Sequence, residues 1–248
     1  MSANELRRKE MLALLSNHGS LTIAGMAQRF SVSEMTIRRD IHHLAQSGQI
    51  LRTPGGATLN RVITFERDFT ERLQKMAEAK DKIGRAAASL IRSGESVVLD
   101  SGTTTLNIAR RLRDRRDITV ITFSLAVLDD LYAARVELTG GCHRRSSLDM
   151  VGRQVSDRLR KVHANKVFFG AAALSFRKGV MLNDAEAPSE MLEAGTERFL
   201  VADSSKIGAE ALYFYCRIED CDQVITDSGI RPEDLRRLRK LTNVIVAE

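Results

Sequence analysis

The sequence predicts an α/β chain in two parts, a small winged helix-turn-helix domain at the amino end and a larger α/β domain built around a parallel sheet. Three observations carry that reading. Residues 32–40 form a capped helix start with apolar residues on one face and arginines on another, and a Pro-Gly-Gly turn joins two short extended arms over residues 49–59. From residue 80 onward, helical and extended segments alternate. With 248 residues the chain is long enough for two domains, each with a core of its own.

The first helix is expected over residues 4–17, with Leu6, Met11, Leu12, Leu14 and Leu15 at helical spacing and His18-Gly19-Ser20 ending it. Thr22 can cap a short second helix running to Phe30, with Ile23, Met26, Ala27 and Phe30 inward, and Ser31-Val32 turns into the third. Ser33 caps that third helix and Glu34 lies near its positive end. Ile37, Ile41 and Leu44 then follow at i, i+4 and i+7 as a buried stripe. Ser33, Met35, Thr36, Arg38 and Arg39 fall off the stripe, toward the end of the helix that meets bases and phosphates in a major groove. His42 and His43 are neighbours and point about 100° apart, which suits a surface or phosphate contact better than a shared metal. Beyond Ser47-Gly48 the two arms make a wing that carries Arg52 to the DNA backbone or minor groove. The expected DNA-contacting set is Thr22, Ser33, Met35, Thr36, Arg38, Arg39, His42, Arg52, Gly55 and Gly56, and its partner is a double-stranded operator. The competing reading is a small helical domain whose Arg38 and Arg39 sit on a solvated face and pair with Glu34 or Asp40.

Charge agrees with the first reading without proving it. The formal net charge is +6; residues 1–60 carry seven Lys and Arg against four Asp and Glu, while residues 81–248 carry 26 against 24. Three cysteines, Cys142, Cys216 and Cys221, with no paired CxxC, argue against a disulfide framework or a zinc site. No signal-peptide core is visible, and no uncharged apolar run reaches the ~18 residues of a membrane span, so a cytoplasmic protein is expected. No metal, cofactor or catalytic set is assigned.

Residues 61–79 are charged and mixed and read as a linker, part of it helical, between a domain at 1–60 and one at 80–248. In the second domain, helices are expected at 80–91, 104–112, 125–132, 152–160 and 232–239. Strands are expected at 96–100, 118–122, 136–139, 166–170, 199–203, 224–226 and 243–246. Asp100-Ser101-Gly102-Thr103-Thr104 stands where a strand ends and a helix begins, a place where open parallel sheets gather ligands and free N–H groups suit an anion. Ser and Thr capping the helix is the plainer reading of the same residues. Other strand ends, at Thr122-Phe123-Ser124, Thr139-Gly140-Gly141, Gly170-Ala171 and Asp203-Ser204-Ser205-Lys206, point to the same edge and favour a crevice.

Residues 32–40 and Gly55-Gly56-Ala57 resemble the amino-terminal domain of the DeoR family of bacterial transcription regulators, and the likeness runs through nearly the whole chain. In order, Asp100-Ser101-Gly102-Thr103-Thr104, Gly140-Gly141 and Asp203-Ser204-Ser205-Lys206 resemble that family's aspartate-x-glycine-threonine-threonine turn, paired glycine and aspartate-serine-lysine turn. The resemblance implies a sensor domain similar in fold to ribose-5-phosphate isomerase, and an effector that is a phosphorylated sugar or related metabolite. The expected effector set is Asp100, Ser101, Gly102, Thr103, Thr104, Ser124, Gly140, Gly141, Gly152, Glu186, Asp203 and Lys206. Two departures stand out: residues 187–195 lack the lysine or arginine that many relatives carry a turn beyond the glutamate, and Phe123 replaces a polar residue. The expectation is a sequence-specific regulator, a repressor of a carbohydrate operon, acting as a homodimer or homotetramer. Two rivals remain open: a sugar-phosphate enzyme using Asp100, Asp184, Glu186 or Asp203 with Lys206, and an architectural protein that binds DNA without sequence choice.

Overall fold

The computed structural model describes residues 3–46, 50–59, 62–63 and 69–248, in two compact units, residues 1–65 and 66–248. The expected turn at Ser47-Gly48, the start of the wing at Gln49 and linker residues 61 and 64–68 lie outside the described residues.

The first unit runs α1 (Ala3–His18), β1 (Ser20–Thr22), α2 (Ile23–Phe30), α3 (Glu34–Gln46), β2 (Ile50–Thr53), β3 (Gly56–Leu59) and β4 (Val62–Ile63). Its core gathers Met11 and Leu15 of α1, Ile23 and Met26 of α2, and Ile37, Ile41 and Leu44 of α3, with Ile50 and Ala57 from the wing. Leu6, expected on the apolar face of α1, is 52% exposed. It lies five residues before Met11, about 140° around the helix, so it cannot share that residue's face.

The wing is a three-stranded antiparallel sheet in the order β1-β3-β2, where the sequence suggested two arms. Gly56, expected among the DNA contacts, is buried in this sheet opposite Thr22. A Cβ there would come within 2.3 Å of the Leu21 carbonyl oxygen, so the residue's job is to let β3 close on β1 and not to touch DNA.

The second unit begins with α4 (Phe69–Gln74) and α5 (Ala77–Ser89), both starting inside the span expected as linker. Phe69 explains the difference, because its ring is buried in the second unit's core and its N–H donates to the Ser146 carbonyl at 3.1 Å. Then come β5 (Ser96–Leu99), α6 (Thr103–Arg111), β6 (Thr119–Thr122), α7 (Leu125–Asp130), β7 (Arg135–Leu138), β8 (Cys142–Arg144), β9 (Asp149–Val151), α8 (Arg153–Leu159) and β10 (Ala164–Phe169). The chain continues with β11 (Ala173–Ser175), β12 (Gly179–Leu182), β13 (Gly195–Val201), β14 (Glu210–Ala211), β15 (Tyr213–Cys216), β16 (Gln223–Asp227), α9 (Pro232–Leu238) and β17 (Asn243–Ala247).

Seven strands form one sheet, all parallel, in the order β17-β16-β13-β10-β5-β6-β7. Their near-continuous apolar runs suit a sheet covered on both faces, and alternate residues divide the core in two. Val97, Leu99, Val120, Phe168, Phe199 and Ile225 pack with Ile83, Ala87, Leu106 and Ile108 of α5 and α6. Val98, Ile121, Val167, Phe169, Leu200 and Val224 pack with Val155, Leu159 and Leu238 of α8 and α9. The second face also meets Leu174, Val180 and Cys216 from a small antiparallel sheet, β11-β12-β15. That sheet and the β8–β9 hairpin have no counterpart in the sequence reading.

Candidate functional site

Local hydrogen bonds build the first candidate surface. Thr22 Oγ1 accepts from the Gly25 N–H at 3.1 Å and starts α2, and Ser31, left-handed at φ 52°, ends it. Ser33 Oγ accepts from the Thr36 N–H at 3.2 Å, so α3 starts as the sequence implies. Ile37, Ile41 and Leu44 are buried; Met35, at 60% exposure, shares solvent with Ser33, Arg38, Arg39 and His42, while Thr36 is half-buried. An apolar side chain so open beside two guanidinium groups suits contact with base edges and phosphates. Arg38 and Glu34 do pair, at 3.5 Å, but both are more than half exposed, so the pair holds the arginine weakly. Arg52 on β2 and Gly55 at the wing's turn are exposed, the latter at φ +82°. Asp40 behaves otherwise. It is 1% exposed and accepts from Arg7 Nε at 2.6 Å and Arg8 Nε at 2.7 Å.

The second candidate site lies where the parallel sheet reverses its direction of growth. From β5 the chain builds outward through β6 and β7, then crosses to add β10 on the other side of β5. The carboxyl ends of β5 and β10 therefore part at a topological switch point, the usual ligand crevice of such sheets. Asp100 spans the gap, one oxygen accepting from the Ser101 N–H at 2.6 Å and the other from the Gly170 N–H at 2.9 Å. Burial pushes its carboxyl up to about 6, against the pull of those two donors. Gly102 heads α6 without a side-chain cap, and Thr105 Oγ1 turns to the carbonyls of Asp100 and Gly102. The first N–H groups of α6, with buried Thr103 and Thr104 beside them, are thus poised for an anion.

Cations stand at the neighbouring end of β13 and on the β8–β9 hairpin. Lys80 of α5, 3% exposed, donates to the carbonyls of Arg72 and of Lys75, the latter at 2.6 Å. Burial pulls its ammonium down to about 8, with Lys206, Arg72 and Lys75 adding to the effect and Asp203 opposing it. Asp203 is itself buried and caps its turn through the Ser205 N–H at 3.1 Å, with half-buried Lys206 one turn on. On the other flank Ser101 Oγ donates to Asp149 at 2.9 Å. Arg144 of β8 grips Asp149 through Nε at 3.1 Å and Nη2 at 2.8 Å, and reaches Asp184 at 2.7 Å. Burial works against the charge of Arg144, but its bonds to Asp184 and Asp149 outweigh that and hold the guanidinium above its ordinary range.

The expected effector residues separate on this geometry. Asp100, Ser101, Gly102, Thr103 and Thr104 form one turn at the end of β5, Asp203 and Lys206 form another at the end of β13 on the same edge of the sheet, and Gly140-Gly141, both at positive φ, lead into the strand that ends in Arg144. Gly152 is exposed at the head of α8. Ser124 departs from expectation: it is fully buried, and its hydroxyl accepts from the Val127 N–H at 3.2 Å, so it caps α7 rather than facing the crevice. Glu186 is exposed, and Asp184, to which its N–H donates at 2.8 Å, is the carboxylate that meets Arg144. Lys80, Arg144 and Asp149 were not in the sequence-derived set. The available signal for Arg144 was its place three residues past the paired glycine; Lys80 carried none, as a single lysine on a helix face.

Among the described residues no group of three or more His, Cys, Asp and Glu could hold a metal ion, and no helix is long and apolar enough to cross a membrane.

A family model for the DeoR C-terminal sensor domain matches residues 75–228, and one for a DeoR-like helix-turn-helix domain matches residues 7–62. The chain is similar to the HTH-type transcriptional repressor GlcR of Bacillus subtilis (strain 168), 33% identical over 229 residues that cover 90% of this chain and 88% of that protein. It is also similar to the lactose phosphotransferase system repressor of Lactococcus lactis subsp. lactis, 30% identical with 99% and 100% covered. Among solved structures, ribose 5-phosphate isomerase A of Methanocaldococcus jannaschii matches with a TM-score of 0.41 and 15% identity, covering 54% of this chain and 55% of that one.

Proposed function

The chain belongs to the DeoR family of transcription regulators, and from that premise we propose that it represses a carbohydrate operon under the control of a phosphorylated sugar. It is a DNA-binding regulator and not an enzyme, with a small-molecule effector for its sensor domain. The names of its relatives, a lactose phosphotransferase system repressor among them, support the choice of operon.

One observation carries the effector class: an uncapped helix start at the switch point, with Arg144 tied to it through Asp149 and Ser101, and with Lys80 and Lys206 near Asp203 at the end of β13 on the same edge of the sheet. Backbone N–H groups and fixed cations are what a phosphate needs. In this reading the phosphate lies on Ser101, Gly102, Thr103 and Thr104, Lys80 and Lys206 neutralise it, and Arg144 replaces the cation missing after Glu186. Asp100, Gly140, Gly141, Gly152 and Asp203 shape the rest of the crevice.

DNA is read by Ser33, Met35, Thr36, Arg38, Arg39 and His42 of α3, with Thr22, Arg52 and Gly55 on the backbone. A homodimer or homotetramer sets two such helices on a repeated operator, multiplying affinity through their linkage. A regulator of chromosomal DNA works in the cytoplasm. The effector controls the protein by binding one of its states better than the other.

The test is binding of the purified protein to DNA from upstream of its own gene, against scrambled DNA at near-physiological salt, with and without a panel of sugar phosphates. Preference for one segment, altered by one sugar phosphate, is the expected result. Equal weak binding to all DNA would overturn the operator reading, and an unaltered preference across the panel would overturn the effector class.

A further inference from the structure

The recognition helix contains a charged residue that takes no part in its exposed face. Asp40 follows Arg39 directly, yet it is 1% exposed and lies against α1, where it accepts two short hydrogen bonds, from Nε of Arg7 and Nε of Arg8. Consecutive residues on a helix project about 100° apart. Both can close on one carboxylate only if α1 crosses α3 at that carboxylate. The arginines are largely withdrawn from solvent, at 13% and 24% side-chain exposure, and Arg7 is further held by Asn4 Oδ1 at 2.9 Å.

The apolar contacts between α1 and α3, through Met11, Leu15, Ile37 and Ile41, have no direction of their own. Apolar surfaces can roll on one another with little loss of contact, whereas two hydrogen bonds to one carboxylate resist rotation of the helix that carries it. A buried carboxylate is also tolerated only while it is paired, so the clamp is held shut by the penalty for opening it. Turning α3 about its axis would carry Met35, Arg38, Arg39 and His42 together away from the base edges they address.

We propose that Asp40 is a positioning residue that sets DNA specificity, by fixing the rotation of α3 and by withholding Arg7 and Arg8 from DNA phosphates. The inference rests on α3 being the DNA-reading helix. It has two consequences of opposite sign: without the Asp40 charge, contact with the right bases weakens, while two released arginines strengthen attachment to any sequence. A carboxylate that merely stabilised the unit would lower both affinities together.

The test uses the full chain, a duplex selected from a randomised pool by the unmodified protein, and a scrambled duplex of the same length, titrated at several salt concentrations. For Asp40→Asn, affinity for the scrambled duplex rises, its salt dependence steepens by about two units in the logarithmic slope, about one for each released arginine, and the ratio of selected to scrambled affinity falls at least about tenfold. A parallel loss on both duplexes, or an unchanged ratio in a folded variant, would overturn the proposal. Should Asp40→Asn fail to fold, the double variant Arg7→Gln/Arg8→Gln serves instead. It too lowers the ratio, without strengthening scrambled binding, and a ratio within about twofold of the unmodified protein's would overturn the proposal. If the unmodified protein shows no preference at all, the operator reading falls and this inference with it.

Discussion

Asp100 titrates in a way that its position makes measurable. Its ordinary value is 3.8 and burial at the switch point raises it to about 6. Between those values the folded chain holds a proton that the unfolded chain has released, so the group favours folding at low pH and that contribution fades as pH rises through about 6. The stability of the unmodified protein relative to Asp100→Asn is therefore expected to fall from about pH 4 to about pH 6 and to level off above, as read by urea unfolding in a pH series. On α3, Arg38→Ala and Arg39→Ala are each expected to weaken operator binding, by about 1–3 kcal/mol for whichever contacts a base. A base contact relaxes preference at one position of the operator, whereas a phosphate contact lowers the salt slope by about one, so the same titrations distinguish the two roles. At this scale the sequence showed the exposed residues of α3 well, because surface pattern is local. It could not show Asp40 or Arg144 in their places, since each is defined by partners far along the chain, Arg7 and Arg8 for the one and Asp184 for the other, and nothing in its local pattern shows that Lys80 turns back to the carbonyls of Arg72 and Lys75. A charged residue in a polar run looks solvated until its partner is known.

Elements repeat the lesson in another form. Every helix of the sensor unit from α5 to α9 and all seven strands of its large sheet follow from the alternation of segments and turn residues, most plainly for the inner strands, whose buried stretches are almost wholly apolar. The short strands β8, β9, β11 and β12 escaped, since they lie outside the regular alternation of strand and helix that marks the large sheet. Their pairing is a tertiary fact more than a local preference. The crossing of α5 and α6 is closer than side chains would allow, since a Cβ on Gly84 would stand 2.7 Å from the Asn107 carbonyl. Gly84→Ala must push the two helices apart and is expected to cost about 1–3 kcal/mol of stability in urea unfolding. The cap of α3 is a gentler test: Ser33→Ala removes the bond to the Thr36 N–H and is expected to cost about 1 kcal/mol, with operator affinity falling as the first turn frays.

At the scale of the whole molecule, two units with separate cores predict two unfolding events. A sugar phosphate that binds the sensor unit raises only the transition belonging to that unit, by an amount that grows with the logarithm of ligand concentration, while operator DNA raises the other. Differential scanning calorimetry with each ligand checks both; a single transition would mean that the units melt as one, and a shift of both transitions by the sugar phosphate alone that their stabilities are coupled. The order of strands in the large sheet also has a consequence for how the protein is made. β5 is the first of its strands to leave the ribosome but ends inside the sheet, with one flank open until β10 is translated, and the far edge waits for β16 and β17. The DNA-reading unit, assembled from neighbouring residues, can fold long before this. During synthesis each chain therefore passes through an interval in which it can hold DNA but cannot yet answer to a metabolite.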